Sequence, residues 1–167
     1  MADMFLKLEG IQGESLDYEH QHGIEIVEFT WGLTNSASFA LTQQDAANNS
    51  KVDNVTVTKY FDKSSITLAQ FCATGHHIPE GRIICRKNTG DEHHPKLDYL
   101  LIVLKKVMVT DIKWAGKEAA AGAPPGAPET VTLSFVQFHL YYTPQKSTGA
   151  KGHVNDFGFD IATHKQI

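Results

Sequence analysis

The residues able to do chemistry in this chain are nine histidines, two cysteines and a scatter of carboxylates. The conspicuous histidines are the pairs His76-His77 and His93-His94. Adjacent residues on a strand point to opposite faces, so such a pair seldom gives one ion two ligands. Helical zinc pairs stand four residues apart, and the chain has no HExxH and no CxxC. Both pairs fall in loop-like segments, where the plain reading is solvated histidine. Cys72 falls in a helical pattern and Cys85 in a strand pattern. Both read as small apolar core residues whose thiolate is disfavoured, and the sequence leaves a Cys72–Cys85 bridge open. Glu25, Glu28 and Asp111 sit in strand patterns, where two facing carboxylates would suit glycoside hydrolysis. Their plain reading is the solvated face of a strand. There is no G-x-S-x-G elbow and no phosphate-binding loop. The expectation is therefore no catalytic residue, no metal site and no cofactor. A small β-barrel hydrolase or metal-binding protein is the enzymatic rival.

The elements that would hold these residues are mostly strands. Phe5–Leu8 alternates and ends in Gly10 and Gly13. In Ile24–Trp31 the apolar positions change face after Ile26, which predicts a β-bulge near Val27. The same one-residue slip recurs in Leu97–Trp114 at Lys105-Lys106, and in Thr130–Thr143 at Phe135-Val136. Val55 and Val57 alternate with Thr56 and Thr58, Gly81–Arg86 reads as a strand, and Phe157, Phe159 and Ile161 form the last one. Ser64–Thr74 is the one helix. Asp62, Ser64 or Ser65 caps its start, apolar residues recur at spacings of three and four, and Gly75 stands at the C-cap. Phe39–Asp53 reads as a long exposed loop, Asn88–Pro95 as a polar turn, and Ala115–Glu129 as a flexible connection. Strands with recurrent slips are strongly bent, which predicts a mainly β domain, a small barrel or tight sandwich of antiparallel sheets with one flanking helix.

Composition bounds the function. The chain has 167 residues, 41% hydrophobic and 20% charged, with a net charge of -4. That suits a single domain over 1–167 with its own core. No basic excess points to nucleic acid, and the longest apolar run, Tyr99–Leu104, is far too short for a membrane span. The first residues read as a strand and lack a charged, then apolar, leader. The expected location is the cytoplasm at synthesis, with any export independent of a cleaved signal. Tyr141, Tyr142, Phe138 and Trp31 are candidate interface aromatics, although core packing is the stronger reading for Phe138 and Trp31.

In order along the chain, several segments resemble those of the Hcp family of the type VI secretion system. They are Met4–Ser15, the Phe29-Thr30-Trp31-Gly32 stretch, the Thr58–Ser65 run (T-K-x-x-D-K-x-S), Gly75–Glu80 followed by Arg86-Lys87, Tyr141–Lys146, and Phe157–Ile161. The resemblance implies a small β-barrel of two sheets with a helix on its flank, away from the lumen. It implies homohexameric rings that stack into a tube, which is secreted with a spike protein at its tip, driven by a contractile sheath, with effector cargo inside. It places Thr30 at the small polar position facing the lumen. It gives the Phe39–Asp53 loop, with Gln43, Gln44, Asn48 and Asn49, to contacts between rings or subunits. That loop has no glycine where the family is often glycine-rich, and Ala115–Glu129, with Pro124-Pro125, differs in the same way. A phage-like tail-tube protein is the nearest alternative.

Overall fold

Alternating apolar residues give this chain its strands, and the slips in that alternation give the sheet its corners. The computed structural model describes residues 3–90, 92, 93, 95–116, 118, 120–122 and 126–167. His94 and Pro124-Pro125 lie outside the described residues. The elements in order are β1 (Met4–Leu8), β2 (Ile24–Glu25), β3 (Glu28–Thr30), β4 (Leu33–Asn35), α1 (Gln43–Asn48), β5 (Ser50–Val52), β6 (Val55–Tyr60) and α2 (Lys63–Thr74). There follow β7 (His77–Asn88), β8 (Lys96–Trp114), β9 (Pro128–Ser134), β10 (Gln137–Tyr142), β11 (Asn155–Asp160) and β12 (Lys165–Gln166). A 10-stranded sheet runs β12-β11-β10-β8-β7-β1-β2, and β9, β6 and β3 branch from β8; β4 and β5 form a separate 2-stranded sheet. All pairings between named strands are antiparallel. The strand path has free ends at β12, β2 and β3, so among the described residues it does not close into a barrel.

Each slip predicted from the sequence falls where a strand changes partner. Ile24 and Glu25 pair with β1, whereas Glu28–Thr30 pair with β6; between them the chain turns at Ile26-Val27, with Ile26 buried and Val27 exposed. β8 pairs with β10 up to Lys105 and with β9 from Met108. Lys106, between them, takes a left-handed φ of 55°, unusual for a residue with a side chain. Because of that turn, Lys105 and Lys106 are both exposed while Leu104 and Val107 are both buried. The expected strand Thr130–Thr143 is divided in the same way. β9 pairs with β6 and β8, Phe135-Val136 breaks the run, and β10 pairs with β8 and β11. Strands that switch partners through such bends make the corners of an orthogonally folded sheet.

The expectation of one helix is corrected by the segment read as a loop. Residues 39–53 hold α1, capped by Thr42 whose side chain accepts the Asp45 N–H, and β5, which pairs with β4. α1 was hidden because it buries no residue, so it has no apolar stripe to show in the sequence. The connection Ala115–Glu129 is also shorter than expected, since β9 begins at Pro128 and Glu129 is fully buried.

α2 has the predicted bounds within one residue. Asp62 is its N-cap and Gly75, at φ 66°, its left-handed C-cap. Its Leu68 enters the same core as Leu6, Ile83, Leu104, Val131 and Phe138. Its first turn is fixed by charge. Lys59, fully buried on β6, donates from Nζ to Asp62 Oδ1 (3.0 Å), Ser65 Oγ (2.9 Å) and Glu129 Oε2 (2.7 Å). Ser65 Oγ also accepts the Asp62 N–H and donates to Glu129 Oε2 at 2.6 Å. Its one donor and two acceptor positions are thereby all used. Trp114 Nε1 donates to the other Glu129 oxygen at 3.1 Å. Removing one member of a buried ion pair strands the other charge, at a cost of about 3–5 kcal/mol. Lys59→Met is therefore expected to lower the urea midpoint by a corresponding amount, and adding Glu129→Gln to recover part of the loss. Equal midpoints for wild type and Lys59→Met would contradict this role for the Lys59–Glu129 pair.

Candidate functional site

Among the described residues no three His, Cys, Asp or Glu side chains stand together as a metal site would need. Cys72, half-buried on α2, and Cys85, buried on β7, are both free thiols. Burial pushes the Cys85 thiol up, and a hydrogen bond with Tyr99 opposes that only in part. His76 stacks on Phe71 at 3.9 Å and His77 opens β7, so this pair is taken up by the turn out of α2. Glu25, Glu28 and Asp111 lie on β2, β3 and β8; β2 belongs to the β1 side of the first corner, while Glu28 and Asp111 lie at opposite edges of the β3-β6-β9-β8 run. The sheet therefore does not bring these carboxylates together as an acid–base pair.

What the fold does assemble is a face of hydroxyls. Along β3-β6-β9-β8, cross-strand pairing puts Thr30 beside Thr56, Thr56 beside Thr132, and Thr132 beside Asp111. The next row is Glu28, Thr58, Thr130 and Lys113. Successive side chains on a strand alternate faces. Val55, Val57, Val131 and Leu133 therefore go into the core while the threonines point away from it. Thr56 and Thr132 share a hydrogen bond of 3.3 Å between their hydroxyls, and Thr110 Oγ1 donates to the Thr132 carbonyl at 3.3 Å. Thr30 is exposed at the end of β3. Thr56, Thr58, Thr130 and Thr132 were not singled out as site residues. The signal was present in the Thr-Val-Thr runs, but it carries functional weight only once the strands are placed side by side.

Gln43, Gln44 and Asn48 are exposed on α1, and Asn49 is its C-cap. They belong to an arm, residues 33–52, built on the β4–β5 pair. Asn49 Nδ2 donates to the Asp45 carbonyl, Asn35 Nδ2 to the Ala46 carbonyl, and Trp31 Nε1 to the Asp53 carbonyl at 2.9 Å. Trp31 itself packs edge-on against Phe138 at 4.8 Å, so it roots the arm in the core. The arm carries Leu33, Phe39 and Leu41 exposed, with Phe39 wholly so. Of the candidate interface aromatics, Phe138 is core, Tyr141 is half-buried and stacks on His139, and Tyr142 is exposed. The His139 ring lies over Gly158, where a Cβ would come within 2.6 Å of it, which explains the glycine in the Phe157–Ile161 segment.

A second feature escaped the sequence reading, the strap between β1 and β2. Arg86, buried on β7, reaches both Asp17 oxygens (3.0 and 2.9 Å), Glu19 (2.6 Å) and Asp98 (2.9 Å). His20 Nε2 also meets Asp98, and the His20 ring packs on Phe5 at 4.7 Å. Ser15, Asp17 and His20 anchor inward, while Leu16 and Tyr18 stand outward and almost fully exposed. Burial pushes Asp17 up, but the Arg86 hydrogen bonds and charge, with the backbone N–H groups of Glu19 and His20, outweigh it and hold its carboxyl down to about 2. These carboxylates hold Arg86 above its ordinary range despite its burial.

The fold is that of type VI secretion proteins. A solved structure of a type six secretion system protein, 24% identical, superposes with a TM-score of 0.85 over the whole of both chains. The crystal structure of Hcp1 from Salmonella typhimurium, 31% identical, matches with a TM-score of 0.77, again over all of both chains. Protein hcp1 of Pseudomonas aeruginosa is 34% identical over 166 residues, 99% of this chain and 98% of that protein. The family described as type VI secretion system effector, Hcp, matches residues 5–142. This chain belongs to the Hcp family.

The strap sets an acid limit. A carboxyl held below its ordinary range stabilises the fold fully above that range, and the contribution is lost as pH falls through the lowered value. Between about pH 5 and pH 2 wild type is expected to lose on the order of 2 kcal/mol more stability than Asp17→Asn. Urea unfolding of both proteins at the two pH values measures this. Equal losses would mean that Asp17 does not hold the strap.

Proposed function

We propose that this protein is a non-catalytic tube subunit of a type VI secretion system. In this reading it forms homohexameric rings, the rings stack into a tube, and the hydroxyl face lines the lumen. The tube leaves the cell under a spike protein and driven by a sheath, with effector cargo inside. The observation that carries the reading is the Thr30–Thr56–Thr132 row. Thr30 matches the lumen position by resemblance, and it lies on an exposed polar face of a sheet whose other face is core. A wall of neutral hydroxyls both donates and accepts hydrogen bonds, which suits varied polar cargo surfaces. The barrel of the family is supported by the first corner, where Ile26 N–H donates to the Met4 carbonyl and Val27 N–H to the Thr58 carbonyl. One short segment thus bridges β1 and β6. We assign the arm to ring stacking, with Phe39 and Leu41 adding apolar contact to Gln43, Gln44, Asn48 and Asn49.

Native mass spectrometry tests the ring. A hexamer at micromolar concentration is expected, and a strict monomer at high concentration would overturn the reading. Thr30→Gln is expected to leave the hexamer intact and to reduce co-purification of an effector; unchanged co-purification would take Thr30 out of the cargo contact. Replacing residues 43–49 by a short Gly-Ser link is expected to abolish tubes in sedimentation while rings persist, and unchanged tubes would remove the arm from stacking.

A further inference from the structure

The β3-β6-β9-β8 run has two edges without a strand partner among the described residues. β3 pairs only with β6, and β8 beyond Met108 pairs only with β9. Open edges are templates for pairing with another chain. Directions alternate along the run, so β3 of one copy laid against the distal part of β8 in a second copy continues the same antiparallel order. The charges at the two edges differ. Glu28 stands at the β3 edge, exposed, in the row Glu28–Thr58–Thr130–Lys113; Lys113 stands at the β8 edge with its side chain 77% exposed. In the adjoining row, Thr30 is at the β3 edge and Asp111, two residues from Lys113 and 3.8 Å from its ammonium, is at the β8 edge.

Resting on the ring reading above, we propose that Glu28 of one copy pairs with Lys113 of the next across a β3–β8 seam, and that this pair sets the register of the ring. Antiparallel pairing with Glu28 opposite Lys113 brings Thr30 opposite Asp111, a hydroxyl that donates to a carboxylate. A slip by two residues one way puts Glu28 opposite Asp111, where like charges repel, and a slip by two the other way puts it opposite Ala115, where the ion pair is lost. A slip by one turns the threonines of one copy off the face shared with its neighbour. The two edge residues therefore select one alignment out of those that main-chain bonding alone would allow. The contact is exposed and so weakens with salt.

Charge reversal tests this. The probes are the full chain with Glu28→Lys, with Lys113→Glu and with both, alongside the neutral Glu28→Gln and Lys113→Gln. Ring formation is followed by native mass spectrometry across a concentration series, and folding of each variant by circular dichroism. Each reversal is expected to raise the half-assembly concentration about tenfold or more, and the double reversal to return it to within about threefold of wild type. The neutral variants are expected to stay folded and to shift assembly by less than the reversals. Reversals that assemble like wild type, or a double variant no better than the singles, would overturn the pair and leave the ring reading standing. A wild type that forms no ring under any condition would overturn the ring reading itself.

Discussion

Lys59 carries its positive charge where no solvent reaches it, and much of the subunit's shape depends on how that charge is met. A buried ammonium is tolerated only when a counter-charge and hydrogen bonds surround it. Here Glu129 supplies the charge from β9, and Asp62 and Ser65 supply oxygens from the start of α2. The contact therefore ties a strand, its neighbour and the helix that covers them at one point. It also explains the T-K-x-x-D-K-x-S run: the lysine is the buried cation, the aspartate the N-cap, and the serine at Ser65 the hydroxyl that joins cap to carboxylate.

The corners follow the same logic of sorting sides. At Ile26-Val27, Lys105-Lys106 and Phe135-Val136 the apolar alternation slips by one residue, and there the strand leaves one partner for another. Lys106 accepts a left-handed backbone so that Leu104 and Val107 can both reach the core. These turns separate the β3-β6-β9-β8 run from the rest of the sheet. They leave that run with valine and leucine inward and threonine outward. The result is a polar face of threonines, with Glu28, Asp111 and Lys113 at its edges, backed by an apolar core.

The sequence carried the longer strands, the bends and α2 because each rests on local patterning; the two- and three-residue strands β4, β5 and β12 are too short to show a period. It missed α1, which buries no residue and so leaves no periodic trace. It missed the strap because Arg86, Asp17 and Asp98 are far apart in the chain and single charges do not reveal their partners. Thr30 was found only through resemblance, and its neighbours Thr56 and Thr132 only through pairing of strands 76 residues apart. Lys59 stood in plain view inside a motif, yet its burial is legible only when Glu129 is seen beside it.

In the proposed ring the hydroxyl face of β3-β6-β9-β8 turns inward around a channel. Electron cryomicroscopy of the purified assembly, at a resolution that separates strands, tests it most directly. Six copies around an open centre are expected, with the strands of Thr30, Thr56 and Thr132 lining the channel and α2 on the flank. A ring whose channel is lined by α2 or by the β1-β7-β8-β10 face, or particles with no ring at all, would contradict it.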